Sequence, residues 1–140
     1  MKPLPLLILL TCVILGCKES QSNDFTGTWV MKDESRPVLP IELRRASAKL
    51  VLNSDGTFVA SDLPGFLYLP EHRSARLENG SGVWKLSSRE GKRQLQLDFQ
   101  TIADWTGPLP YGTQLDISKG NLLYFFGDAD EGRKVSFEKK

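Results

Sequence analysis

AKLVLNSDGTFVAS, residues 48–61, reads as two short strands folded back on each other. Ala48, Leu50 and Leu52 recur at every second position through AKLVLN, the pattern of a strand with one buried face. Ser54-Asp55-Gly56 then interrupts it with turn-forming residues, and TFVAS resumes an extended pattern. Together these are a hairpin signal.

The same period continues outward in both directions. On the N-terminal side, Phe25, Gly27, Trp29 and Met31 alternate in FTGTWVM. On the C-terminal side, Trp84 and Leu86 in GVWKLS lead to the turn Arg89-Glu90-Gly91-Lys92, after which Leu95, Leu97 and Phe99 alternate in QLQLDF. Leu115 and Ile117 in TQLDIS precede Lys119-Gly120-Asn121; LLYFF follows, and Val135 and Phe137 alternate in KVSFEK. These segments predict an all-β domain of eight strands with no long helix. One short helical turn is expected in VLPIELRRAS, bracketed by Pro37, Pro40 and Arg44-Arg45.

The connections between the strands alternate in length. The links after the second, fourth and sixth strands are tight turns, and the others are longer. If neighbouring strands run up and down, all tight turns fall at one end and all long links at the other. Such a sheet closes into a barrel, stays an open meander or folds as a two-sheet sandwich; each arrangement fits the pattern. The long links SDLPGFLYLPEHRSARLENGS (61–81) and QTIADWTGPLPYG (100–112) are rich in Pro, Gly and aromatics. Loops of that length in a compact domain are usually functional or disordered.

Gly27-Thr28-Trp29 resembles the G-x-W motif that opens the first strand of lipocalins. The resemblance implies an antiparallel up-and-down barrel whose floor is closed by Gly27 and Trp29, with the Trp packed beneath an Arg near the last strand, the place Arg133 occupies. The family's middle T-D-Y motif is missing and the chain is shorter than typical lipocalins, so the expectation is a lipocalin-like barrel. Its bulky inward side chains, among them Phe58, Trp84 and Phe99, either fill the interior or leave room for a ligand.

The N-terminus supplies an address. Lys2, the apolar run Leu4–Leu15 and Gly16 follow the grammar of an export signal, and the run is shorter than the ~20 residues a membrane-spanning helix needs. Ile14-Leu15-Gly16-Cys17 resembles the lipobox of bacterial lipoproteins. That resemblance implies a diacylglyceryl group on the Cys17 sulfur, cleavage before Cys17 and acylation of the new amino terminus, with chains of the palmitate type. The expected organisation is a signal peptide (1–16), a lipidated tether (17–23) and a barrel domain (24–140). Cleavage removes Cys12 and lipidation consumes Cys17, leaving no thiol for a disulfide. Lys18 after the cysteine points to the outer membrane, facing the periplasm or the cell surface. In the up-and-down circuit the tether leaves from the tight-turn end, so the long-loop end points away from the membrane.

Removing residues 1–16 takes one of 18 basic side chains and no acidic one, which leaves the basic residues matched to 17 acidic ones. This balance argues against a nucleic-acid partner and against a polybasic lipid-binding patch. His72, the sole histidine, stands beside Ser74, but neighbours in sequence do not make a catalytic triad, and no free cysteine remains for a zinc site. Asp128 and Asp130 in GDADEG give a weak calcium candidate, because the spacing departs from an EF-hand loop. Arg44-Arg45-Ala46-Ser47 and Asn79-Gly80-Ser81 match eukaryotic modification motifs that a bacterial envelope protein does not meet. No catalytic residue, cofactor or firm metal site is expected.

The candidate contacts are Phe66, Tyr68, Trp105 and Tyr111 of the long links, since Tyr and Trp combine apolar area with a hydrogen-bonding tip. The expectation is a non-enzymatic, lipid-anchored envelope protein that recognises a small apolar ligand or a protein partner. The alternative is an immunity or inhibitor lipoprotein that neutralises a toxin or a lysozyme-type enzyme.

Overall fold

The computed structural model describes residues 23–65, 76–102, 105–106, 112–126 and 129–140, with residues 105, 106 and 129 described in their backbone alone. Its strands are β1 (Gly27–Met31), β2 (Lys49–Leu52), β3 (Thr57–Pro64), β4 (Leu77–Arg89), β5 (Lys92–Ile102), β6 (Trp105–Thr106), β7 (Thr113–Ser118), β8 (Asn121–Phe125) and β9 (Lys134–Lys139). β1 to β5 pair in sequence, β5 pairs with β7, β7 with β8 and β8 with β9, all antiparallel. β9 returns to β1, with Trp29 opposite Lys139 and Met31 opposite Phe137. That pairing closes an eight-stranded up-and-down barrel and rules out the open meander and the sandwich. The two-residue β6 hangs on the end of β5 outside the circuit.

β4 is longer than the sequence predicts, because Leu77–Ser81, read above as part of a long link, is strand. Gly80 and Gly82 sit opposite Ala60 and Phe58, whose side chains are buried. Glycine at inward positions erases the alternation that would have marked the strand. The space they leave is filled by Phe58 and Phe99, whose rings meet edge to face with centroids 4.9 Å apart. A Cβ at Gly80 would stand 3.0 Å from the Phe99 ring.

All three tight turns lie at one end, called the near rim. Glu90-Gly91 and Lys119-Gly120 both take positive φ at their two central residues, the type I′ geometry that matches strand twist. In the β2–β3 turn, Gly56 adopts φ +84° and Asp55 accepts hydrogen bonds from the Thr57 backbone N–H (2.8 Å) and hydroxyl (2.6 Å). Trp84 Nε1 donates to the Asn53 carbonyl at 2.9 Å and ties this turn to β4. The chain also enters and leaves the barrel at this rim, through Asn23–Thr26 and Lys140.

The longer links start and end at the opposite, far rim. The first, 32–48, is described throughout and folds over the core. It forms two 3-10 turns, Asp33–Val38 and Ile41–Leu43, where one was expected, and it buries Leu39, Leu43 and Ala46 in the same core as the strands. Two arginines hold its backbone. Arg36 donates to the carbonyls of Arg44 (2.8 Å) and Ala46 (2.7 Å), and Arg44 to those of Leu39 (3.2 Å) and Pro37 (3.3 Å). Where β1 stops, the buried Ser35 hydroxyl accepts the Ser136 N–H at 2.8 Å and continues the ladder of β9. Most of the other far-rim links lie outside the described residues.

Candidate functional site at the barrel rims

Eight strands give an interior just wide enough for side chains to fill. Here Leu50, Leu95, Leu97, Leu115, Leu122, Val135 and Phe137 from five strands are each at most 2% exposed. Between Leu50, Leu97, Phe99 and Phe137 a void of about 10 Å³ remains. A water needs at least about that much room and a small-molecule site some 300 Å³ or more. Among the described residues, then, the barrel centre is packed solid.

At the near rim Trp29, 2% exposed, donates its Nε1 proton to the Phe25 carbonyl at 2.9 Å. The two rings stack with centroids 6.1 Å apart, and the Arg93 guanidinium lies 5.4 Å from the centre of the Phe25 ring. Gly27 takes φ +121° beside the Lys139 side chain, whose ammonium donates to the Asp24 carbonyl at 2.9 Å.

Arg133 is not part of this floor. Trp29 is opposite Lys139 at the end of β9, whereas Arg133 precedes the start of β9, roughly 20 Å away along the strand. It ion-pairs with Glu131 and lies 5.5 Å from the centre of the Phe126 ring at the far rim. The cations that do reach this rim are Lys139 and Arg93, the latter at the start of β5 and missed by the sequence reading. The only sequence signal for Arg93 is a basic residue just after a Gly-bearing turn, and such a position usually faces solvent.

At the far rim, Phe125 at the end of β8 is 50% exposed and Ile41 in the first link is 72% exposed. Lys134 holds its ammonium 6.0 Å from the centre of the Phe125 ring. Neither exposed apolar residue was among the sequence candidates. Of those candidates, Phe66, Tyr68 and Tyr111 lie outside the described residues, as do His72 and Asp128. Trp105 is placed by its backbone in β6, opposite Ile102. Asp130 lies in the 3-10 turn Ala129–Glu131, and among the described residues no cluster of His, Cys, Asp or Glu is arranged to hold a metal.

The hydrogen bonds from Thr57 hold the Asp55 carboxyl below the usual range, and burial pushes the Tyr124 hydroxyl above the usual tyrosine value. Among the described residues no helix is long and apolar enough to cross a membrane.

Fold and rims define a closed β-barrel, packed at its centre among the described residues, whose exposed apolar side chains include Ile41 and Phe125 at the far rim. Compared with family models, curated proteins and solved structures, the chain matches none.

Proposed function

We propose that this chain is a non-enzymatic, lipid-anchored protein of the cell envelope that binds a partner at its far rim. Ile14-Leu15-Gly16-Cys17 supports the anchor, held in the outer membrane and facing the periplasm or the surface. The observation that carries the binding mode is the exposure of Ile41 and Phe125 on the rim of a barrel whose described interior is full. A full barrel favours recognition on the outside over a small apolar ligand held within. A protein is therefore the preferred occupant, and an immunity or inhibitor role toward a toxin or a lysozyme-type enzyme belongs to the same reading.

Two measurements test it. Mass spectrometry and membrane fractionation should find an acylated Cys17 peptide and a membrane-bound protein in the parent, both lost in Cys17→Ser. An unmodified Cys17 in the parent overturns the anchor. Photo-crosslinking in intact cells from positions 41 and 125 should give a discrete protein adduct that position 59, exposed on the barrel wall, does not. Equal labelling from all three positions overturns the rim as the binding surface.

A further inference from the structure

A balanced total charge does not mean a mixed one. The near rim gathers Arg89, Lys92 and Arg93 at and just after the β4–β5 turn, Lys119 at the β7–β8 turn, Lys139 in the last ladder pair of β9, and Lys140 after it, all exposed. The carboxylates there are Asp24, Asp55 and Glu90, with Asp116 and Glu138 one row further in. Asp55 is turned onto Thr57, and Asp116 accepts the Gln94 amide at 2.7 Å.

The ion pairs lie elsewhere, although the far rim also carries exposed cations outside any ion pair among the described residues, Arg45 and Lys49. Lys32–Glu34, Arg36–Asp33 and Arg133–Glu131 stand at the far rim, and Lys85–Asp98 on the wall. None of the six near-rim cations is in an ion pair among the described residues. Two of them face the entering chain: Arg93 over Phe25, and Lys139 against the Asp24 carbonyl. Three ride on a projecting hairpin, since β4 runs from Val83, opposite the first residue of β3, on to Arg89. That overhang measures about 20 Å along the strand.

We propose that the near rim is a bilayer-contact surface, seated by its unpaired cations on anionic phospholipid headgroups. The placement rests on the anchor reading. Cys17 precedes Asn23 by a segment that spans at most about 25 Å when fully extended, so the lipid keeps this rim within that reach of the headgroups. Basic side chains near an anionic leaflet are attracted to it over roughly a Debye length. The consequence is an upright domain, its far rim held toward solvent. The sequence total does not display this, because a sum over residues carries no positions.

The test uses the protein purified from membranes and reconstituted into vesicles of phosphatidylethanolamine alone or with about one-third phosphatidylglycerol. A water-soluble amine-acetylating reagent is applied and each lysine followed by mass spectrometry. Lys92, Lys119 and Lys139 should react about fivefold more slowly on the anionic vesicles, an effect removed by high salt, while Lys32 and Lys134 react alike on both. Equal rates at both rims in vesicle-bound protein overturn the proposal and leave the anchor standing. If the Cys17 peptide carries no lipid, the same protein is added to the vesicles from solution. Salt-sensitive binding to the anionic vesicles that K92E/K119E/K139E lowers about tenfold upholds the surface and overturns the anchor, whereas absence of binding overturns both.

Discussion

Gly82 shows how much one residue can decide. It faces inward opposite Phe58, at a register shift between β4 and β5, and a Cβ built there would overlap the Asp98 backbone carbonyl. Backbone cannot swing aside as a side-chain tip can, so Gly82→Ala should destabilise the protein by about 3 kcal/mol, at the upper end for overpacking. Thermal unfolding should show a midpoint lower by about 10 °C; an unchanged midpoint would mean that the strands part there at little cost. The sequence displays Gly82 openly but not its meaning, since a glycine in a strand and a glycine in a loop look the same. Trp29 was singled out only through the resemblance of Gly27-Thr28-Trp29 to a G-x-W motif, and in the structure it is buried against Phe25. Its neighbouring cation was not legible, because Arg93 and Arg133 are equally basic and only the register separates them.

Turns were the most legible elements. Residues with positive φ sit at the expected places in Arg89-Glu90-Gly91-Lys92 and Lys119-Gly120-Asn121, because the chemistry of a hairpin turn is local. Glu90 itself holds φ 51°, a region that asparagine tolerates better. Glu90→Asn should therefore stabilise by about 0.5 kcal/mol, measured as a higher urea midpoint at unchanged slope. The Asp55 turn adds a pH dependence. Its carboxyl is held low in the folded chain by Thr57, so its contribution is present above the unfolded carboxylate pKa and disappears as pH falls through the folded one. The parent should be more stable than Asp55→Asn near neutrality, and the two should converge as the pH drops below about 4; a constant difference in melting temperature across that range contradicts the hydrogen-bond account. The link 32–48 was less legible. Its cover of the core depends on Arg36 and Arg44 reaching carbonyls on other parts of the same loop, and no periodicity records such contacts.

At the scale of the molecule, the all-β class and the up-and-down order followed from alternation and link length, but closure did not. An open meander has the same hydrophobic pattern as a barrel; the difference lies in the pairing of β1 with β9, between segments more than a hundred positions apart. The packed interior was legible only as a choice between filled and hollow, since side-chain volume has to be compared with barrel radius. For the far rim, Ile41→Ser combined with Phe125→Ser should leave the melting temperature within about 2 °C, because exposed side chains contribute little to the core. The same change should lower crosslinking to the partner about tenfold if the rim recognises it. A large drop in stability would instead assign both residues to packing. The seam between β1 and β9 has a further consequence for how the barrel is made. The segment synthesised first must wait for the last one, and until Lys134–Lys139 arrives both β1 and β8 are open edges able to pair with any extended chain. The incomplete barrel is thus an aggregation hazard that ends only when the circle is joined. Loss of the final strand should yield a protein that self-associates rather than a smaller barrel.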